Sequence, residues 1–370
     1  MPGEQFMNHL ILFLSCCVII LLCCCHAKAD VASSEIVLGS QSQDLKVGPG
    51  MDASNRNLSG CKFIGLDLSK ANFNGANLKG CYIFQCNFKG ASFRKTNFDG
   101  LWWNECDIQG ADFTDAILNG TIRPLQAHEV DFSSEQLMST QSYKDRDFTD
   151  CTIRFVRGTP APSLDFRNAK FQNSLFSQCD LRKCDFTDAN ITGASFHHSK
   201  MTAKQIVSTY NYKHQHLIGI RFGHVDGKLD LSDFDLTKSR FFSNQSSFSN
   251  AILTDCEFYG LPSEQLKSTK SYQNGQLIGV AFRGQDFSKI DMSGQNLSNA
   301  SFHGCIFNET SFNDAVISNC WFDRYPRGEI DLTIEQIKST WNYKNNRMVG
   351  IKFPEELAKA LEQEQLKRQE

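Results

Sequence analysis

The chain has 370 residues, a net charge of −3, 30 phenylalanines and 15 cysteines. Acidic and basic residues are intermingled, which excludes a basic nucleic-acid patch and a strongly acidic field. No G-x-S-x-G, H-E-x-x-H or phosphate loop occurs, so no catalytic residue, metal or cofactor is expected.

Residues 1–29 read as a secretory signal peptide. Leu10 to Cys25 is a 16-residue apolar run, and Ala27-Lys28-Ala29 fits a cleavage site. The leading segment lacks Lys and Arg and carries Glu4; a start at Met7 would remove that oddity. Two alternatives stay open: an uncleaved anchor, for which the run is short, and lipidation at Cys23, Cys24 or Cys25. Only these two would bring membrane association. The expected location is the periplasm or cell envelope of a bacterium. Residues 30–54 are polar and irregular, and are expected to form a linker or an N-terminal cap.

From Leu58 to Leu118 an apolar residue falls on every fifth position, thirteen times without a miss. Cys or Ala stands two places before most of them, as at Cys61, Ala71 and Cys81, and Gly recurs two places after, as at Gly60, Gly75 and Gly80. A period of five fits neither a helix nor a flat strand. The chain must turn a corner every five residues, and Gly and Asn suit such bends. The beat returns at 166–201, 231–258 and 277–322, with a slip of two residues between Phe241 and Phe248. The count of 43 central positions corresponds to roughly 11 coils and a column on the order of 50 Å.

The stretch Ala71-Asn72-Phe73-Asn74-Gly75-Ala76-Asn77-Leu78-Lys79-Gly80 resembles the pentapeptide-repeat family, with its pattern A-(D/N)-L-x-x. The resemblance extends, with interruptions, over residues 55–353. It implies an all-β solenoid: a right-handed quadrilateral parallel β-helix with four pentapeptides per coil. Residues 20 apart would stack, with the central residue and the small residue before it pointing inward.

Four interruptions near 133–143, 202–212, 262–272 and 333–343 resemble one another and divide the solenoid into four modules. Their glutamines, Gln136, Gln205, Gln265 and Gln336, lie 69, 60 and 71 residues apart. Each insert reads as a short helix. Ser133, Thr202 and Thr333 stand three before a Gln, as in a capping box, whereas the third copy has Pro262. Outward Ile117, Ile252 and Val316 are expected to pack under Leu137, Leu266 and Ile337. The second module has Asn190 at that place. Residues 354–370 read as a C-terminal helix, with Pro354 at its first position and Leu357 and Leu361 shielding the last coil.

Ten cysteines follow the leader, each two before a central residue. Two readings stay open: small buried hydrophobes, or bridges across adjacent coils for Cys61–Cys81 and Cys86–Cys106, each pair 20 apart. The beat also explains Asp67, Asp107 and Asp112 as outward repeat residues. Five of the nine histidines lie between His197 and His224, around the second insert.

One departure marks a candidate binding surface. Tyr82 and Trp102 are outward and 20 apart, so they stack in the register above Lys62, with Ile64 and Phe84 on the same wall. Exposed aromatic area of this kind marks interaction sites. The competing reading folds residues 30–54 over this wall, since Ile36, Val37, Leu38 and Leu45 need cover. The leading function is a non-catalytic exported scaffold or protein-interaction module of unknown partner. One alternative is envelope polysaccharide binding or processing, with the aromatic wall as a stacking platform. The family resemblance implies another, a DNA mimic acting on gyrase, which the near-neutral charge and the leader disfavour.

Overall fold

The computed structural model describes residues 35–37, 45–120, 131–155, 163–242, 246–323 and 331–366. The leader and its cleavage site lie outside the described residues.

Short parallel strands and single bridges stack the chain on itself. Asp52 pairs with Asn72, Asn72 with Ser92, and Ser92 with Asp112. The result is a parallel β-helix whose interior is the five-residue beat. Phe63, Leu68, Phe73 and Leu78, the central residues of one coil, are 0–1% exposed. Rings stack from coil to coil: Phe73 lies 5.1 Å from Phe93, and Phe93 5.2 Å from Phe113. Each buried Phe contributes about 1.5–3 kcal/mol by area.

The corners explain the remaining repeat positions. The backbone turns through left-handed φ at Gly75 (+66°) and at Lys70 (+57°) alike, so this position wants Gly but tolerates others. The recurrent Asp or Asn closes the same turn. Asp52 Oδ1 accepts from Ser54 N at 3.0 Å, and Asp67 Oδ1 from Ser69 N at 3.0 Å. Their neighbours pass the bond between coils: Asn72 Nδ2 donates to Asp52 Oδ1 at 3.0 Å. These carboxylates are turn caps.

One inner column can be followed end to end. It runs through Leu58, Leu78, Phe98, Leu118, Phe148, Phe171, Ile191, Leu217, Leu236, Leu253, Leu277, Leu297 and Ile317, thirteen levels, and Met348 begins one more. At ~4.8 Å per step the column is about 60 Å long. That is more than the roughly 11 coils counted from pentapeptides, because the interrupted stretches also complete coils.

The inserts are built into these coils. Each is two short helices: Ser134–Ser139 with Gln141–Lys144, Ala203–Ser208 with Tyr210–Lys213, Ser263–Ser268 with Lys270–Gln273, and Ile334–Lys338 with Trp341–Lys344. A threonine separates the two helices: Thr140, Thr209, Thr269 or Thr340. Each is extended (ψ 149–155°), and its hydroxyl accepts from the N–H of the insert's tyrosine. The side-chain cap starts a second helix where one continuous helix was expected.

Leu137, Ile206, Leu266 and Ile337 are 0–1% exposed within the central core. Ile117 remains 41% exposed. The expectation that Ile117 lies beneath Leu137 is therefore wrong: the insert fills the interior instead of lying on the outer wall. It also replaces one side of the coil in the backbone ladder. Asp115, Asp188, Asn250 and Asp314 donate N–H bonds of 2.9 Å to Ser139, Ser208, Ser268 and Ser339.

The capping boxes are present at Ser133, Thr202 and Thr333, and Pro262 makes no side-chain cap. The glutamine does more than cap. Gln205 Nε2 donates to Leu181 O at 2.7 Å and to Cys184 O at 2.6 Å. Gln136 and Gln336 repeat this pair of bonds. The first, second and fourth inserts are thereby pinned to the coil before them. A tyrosine ties an insert to the coil after: Tyr212 OH donates to Asp230 O at 2.7 Å, and Tyr143 OH accepts from Asp165 N at 3.1 Å.

Along the column, the four inserts precede Phe148, Leu217, Leu277 and Met348. The unequal sequence spacings thus resolve into one rule: an insert at every third level, always at the same corner. The helix pairs form a row along one edge, ~14 Å apart.

Both ends are closed. At the start, Glu35–Val37 pairs antiparallel with Lys62–Ile64, occupying an edge that would otherwise be open. At the other end, Phe353 stacks 5.5 Å from Phe322. The helix Glu355–Leu366 then brings Leu361 to 6% exposure, with Leu357 packed on the core. No helix among the described residues is long and apolar enough to cross a membrane.

The ten cysteines are buried thiols. Cys81 Sγ donates to Leu58 O at 2.9 Å. Burial pushes the Cys81, Cys184, Cys305 and Cys320 thiols up to about 12. The Cys61–Cys81 and Cys86–Cys106 pairs stand on adjacent coils as thiols; Cys86 Sγ donates to Phe84 O at 3.4 Å and Cys106 Sγ to Asn104 O at 3.2 Å.

Candidate interaction surface

One face of the solenoid differs from the others. It is formed by the strand that follows the Leu58 column in each coil. At its beginning, Lys62, Tyr82 and Trp102 are paired in register, as are Ile64, Phe84 and Asn104. The five residues singled out in the sequence thus share one wall, with Asn104 as a sixth, buried member. The Tyr82 and Trp102 rings stack at 4.2 Å with planes 4° apart, and Phe84 lies 6.5 Å from Trp102. Tyr82 is 36% exposed.

This geometry bears on the platform idea. Rings stacked along the coil axis cover each other's faces and present their edges outward. A sugar ring needs an aromatic face, so the Tyr82–Trp102 pair does not serve as a glycan platform between its members. The N-terminal strand does not cover the wall either. Glu35–Val37 lies beside Lys62–Ile64 at the end of the sheet, two and three strands away from Tyr82 and Trp102.

Further along the same face is a second cluster, which sequence reasoning missed. Arg240, Glu257, Ala281, Ser301, Trp321 and Lys352 form one column. Tyr259, Arg283, His303 and Asp323 form the next. Glu257 is held by Arg240 Nε at 2.8 Å and by Arg283 Nε at 2.5 Å. Burial pushes its carboxyl up, but the Arg283 hydrogen bond and the two guanidinium charges outweigh it, and the net shift is downward. Both guanidiniums lie over the Tyr259 ring, at 5.1 and 5.6 Å. His303 Nδ1 is 2.8 Å from Asp323 Oδ2. The stacked residues here are 17, 24, 20, 20 and 31 apart in sequence. A search at a spacing of 20 therefore sees only part of the cluster.

The histidines around the second insert do not converge. His197 and His198 touch at 4.0 Å, His214 stacks on Tyr210, and His224 pairs with Asp226. Among the described residues no group of three or more His, Cys, Asp or Glu could hold a metal ion.

Family models for a pentapeptide repeat region match residues 56–131, and for pentapeptide repeats residues 165–202 and 276–320. The chain is a pentapeptide-repeat protein. The matches fall on the uninterrupted runs of the solenoid, and the inserts lie outside them apart from the first residue of the second, Thr202. Two solved pentapeptide-repeat structures are similar in part. HetL, a pentapeptide-repeat protein involved in heterocyst differentiation regulation from the cyanobacterium Nostoc, is 12% identical over 74% of this chain and 83% of its own, with a TM-score of 0.15. QnrB1, a plasmid-mediated fluoroquinolone resistance protein, is 15% identical over 82% of this chain and 96% of its own, with a TM-score of 0.16. At such TM-scores neither bears on function here. No curated protein matches the sequence.

Proposed function

We propose that this pentapeptide-repeat protein is a non-catalytic, exported scaffold that docks another protein on its strand face. The observation that carries this reading is the partly exposed Tyr82–Trp102 stack beside Ile64 and Phe84 on a rigid wall. The leader at residues 1–29 favours action in the periplasm or cell envelope of a bacterium. Four central residues and four bends per 20-residue coil favour a four-sided cross-section, which would make that wall flat, and the family resemblance implies a right-handed coil. Neighbouring cations partner the outward carboxylates: Lys79 with Asp99, Lys89 with Asp107 and Arg94 with Asp112. Such a surface is a poor imitation of a phosphate backbone, so the DNA-mimic reading is set aside.

The test is cross-linked capture from the envelope of the source organism, comparing the mature protein with Trp102→Ala and Tyr82→Ala. A protein band lost in both variants while the fold is kept bears the reading out. A band unchanged in both, or no band at all, refutes it. N-terminal sequencing of the mature chain tests the export step.

A further inference from the structure

Trp321 stands on the same face as Trp102 but in different company. Trp102 is stacked on Tyr82, whereas Trp321 is 45% exposed. The Lys352 ammonium lies 5.1 Å from the Trp321 ring centroid. On the other side, the column neighbours are Ser301 and then Ala281, which carry two and one heavy side-chain atoms. His303 meets the indole at 5.1 Å and 73°. Between Glu257 and Trp321 the face therefore steps down for two levels, about 10 Å. Ala281 and Ser301 floor this step, and Arg283 and His303 flank it.

The charged groups that flank the step itself are paired, and the Lys352 ammonium lies beyond Trp321, on the side away from Ser301. Arg283 is bonded to Glu257, and His303 to Asp323. A charged ligand seated over Ala281 and Ser301 would compete with these pairs. What the step offers is an indole face and a fixed set of neutralised donors and acceptors. A sugar ring has the complementary chemistry: an apolar C–H face for the indole and hydroxyls that both donate and accept.

We propose that the step over Ala281 and Ser301 binds a pyranose ring of an uncharged glycan, stacked on Trp321. The residues involved are separate from Tyr82 and Trp102, so this site and the protein-docking reading stand or fall independently.

The test is calorimetric titration of the full chain with hexasaccharides of cellulose, chitin, starch and mannan, with tryptophan fluorescence followed in parallel. At least one should bind and perturb the fluorescence. Trp321→Ala should weaken it by roughly tenfold or more, and Ser301→Tyr, which fills the step, should abolish it. Trp102→Ala should leave it unchanged. Circular dichroism and unfolding midpoints check that the variants fold. No binding at millimolar glycan overturns the proposal, as does equal binding by wild type and both step variants. A parallel titration with hexagalacturonate supplies an anionic arm: salt-sensitive binding to it alone, lost in Lys352→Gln, overturns the uncharged class.

Discussion

Replacing Gln205 by Leu isolates what the insert glutamine contributes. The residue is 8% exposed and makes three bonds to backbone: Nε2 to Leu181 O at 2.7 Å, Nε2 to Cys184 O at 2.6 Å, and Thr202 N to Oε1 at 2.8 Å. Leucine removes all three bonds, although Leu181 O keeps the Cys184 N–H at 2.9 Å. At about 1 kcal/mol per bond the loss is ~3 kcal/mol, and more if water does not reach the freed groups. The third insert supplies an internal control. There Pro262 has no N–H to offer, and Gln265 instead accepts from Phe248 N at 3.1 Å. Gln265→Leu should cost only ~1 kcal/mol. Gln205→Glu should be at least as harmful as Leu, because it turns an oxygen toward two carbonyls. Guanidinium unfolding gives the overall loss, and native-state hydrogen exchange at Thr202 and Phe248 localises it. Equal losses for Gln205→Leu and Gln265→Leu, or a loss below about 1 kcal/mol for Gln205→Leu, would refute the pinning argument.

The corner rule predicts that Gly110→Asn is nearly neutral, because the corner tolerates left-handed Asn elsewhere and a Cβ there meets nothing within 4 Å. Gly223→Ala should be severe, since its Cβ would lie 2.2 Å from Phe196 O and 2.5 Å from Ser199 O; thermal midpoints of the two variants check the contrast. The cysteines should be unreactive to a thiol reagent in the native protein, and all ten should react after unfolding without reductant. Stability should also fall as pH rises. A thiol raised to about 12 in the folded state keeps its proton between pH 9 and 12, while the unfolded chain loses it. The contribution is intact below pH 9, then declines by about 1.4 kcal/mol per pH unit for each such thiol; unfolding at graded pH reads the slope. Trp102→Ala should cost about 1 kcal/mol in stability, while abolishing capture of the docked protein.

The period of five made the repeat residues legible. Phe73, Cys81 and Asp67 could each be assigned an inward or outward role from position alone, and the structure uses them so. The wall of Lys62, Tyr82 and Trp102 was legible for the same reason, being spaced by 20. What the spacing could not show is the orientation of the rings within it. It also could not show where Leu137 goes, because a local pattern does not distinguish packing onto a wall from packing into a core.

By itself, then, the sequence determined the coil: which residue points in, which caps the turn and which corner turns left-handed. Those choices are local and recur every five residues. Only the tertiary structure decided how many levels the column has, that the inserts fall at every third one, and that Glu257, Arg283, His303 and Trp321 share a face. The reason is physical. Stacking joins residues by their place in the coil, and wherever an insert or a slip changes the length of a coil, distance along the chain no longer measures distance up the column.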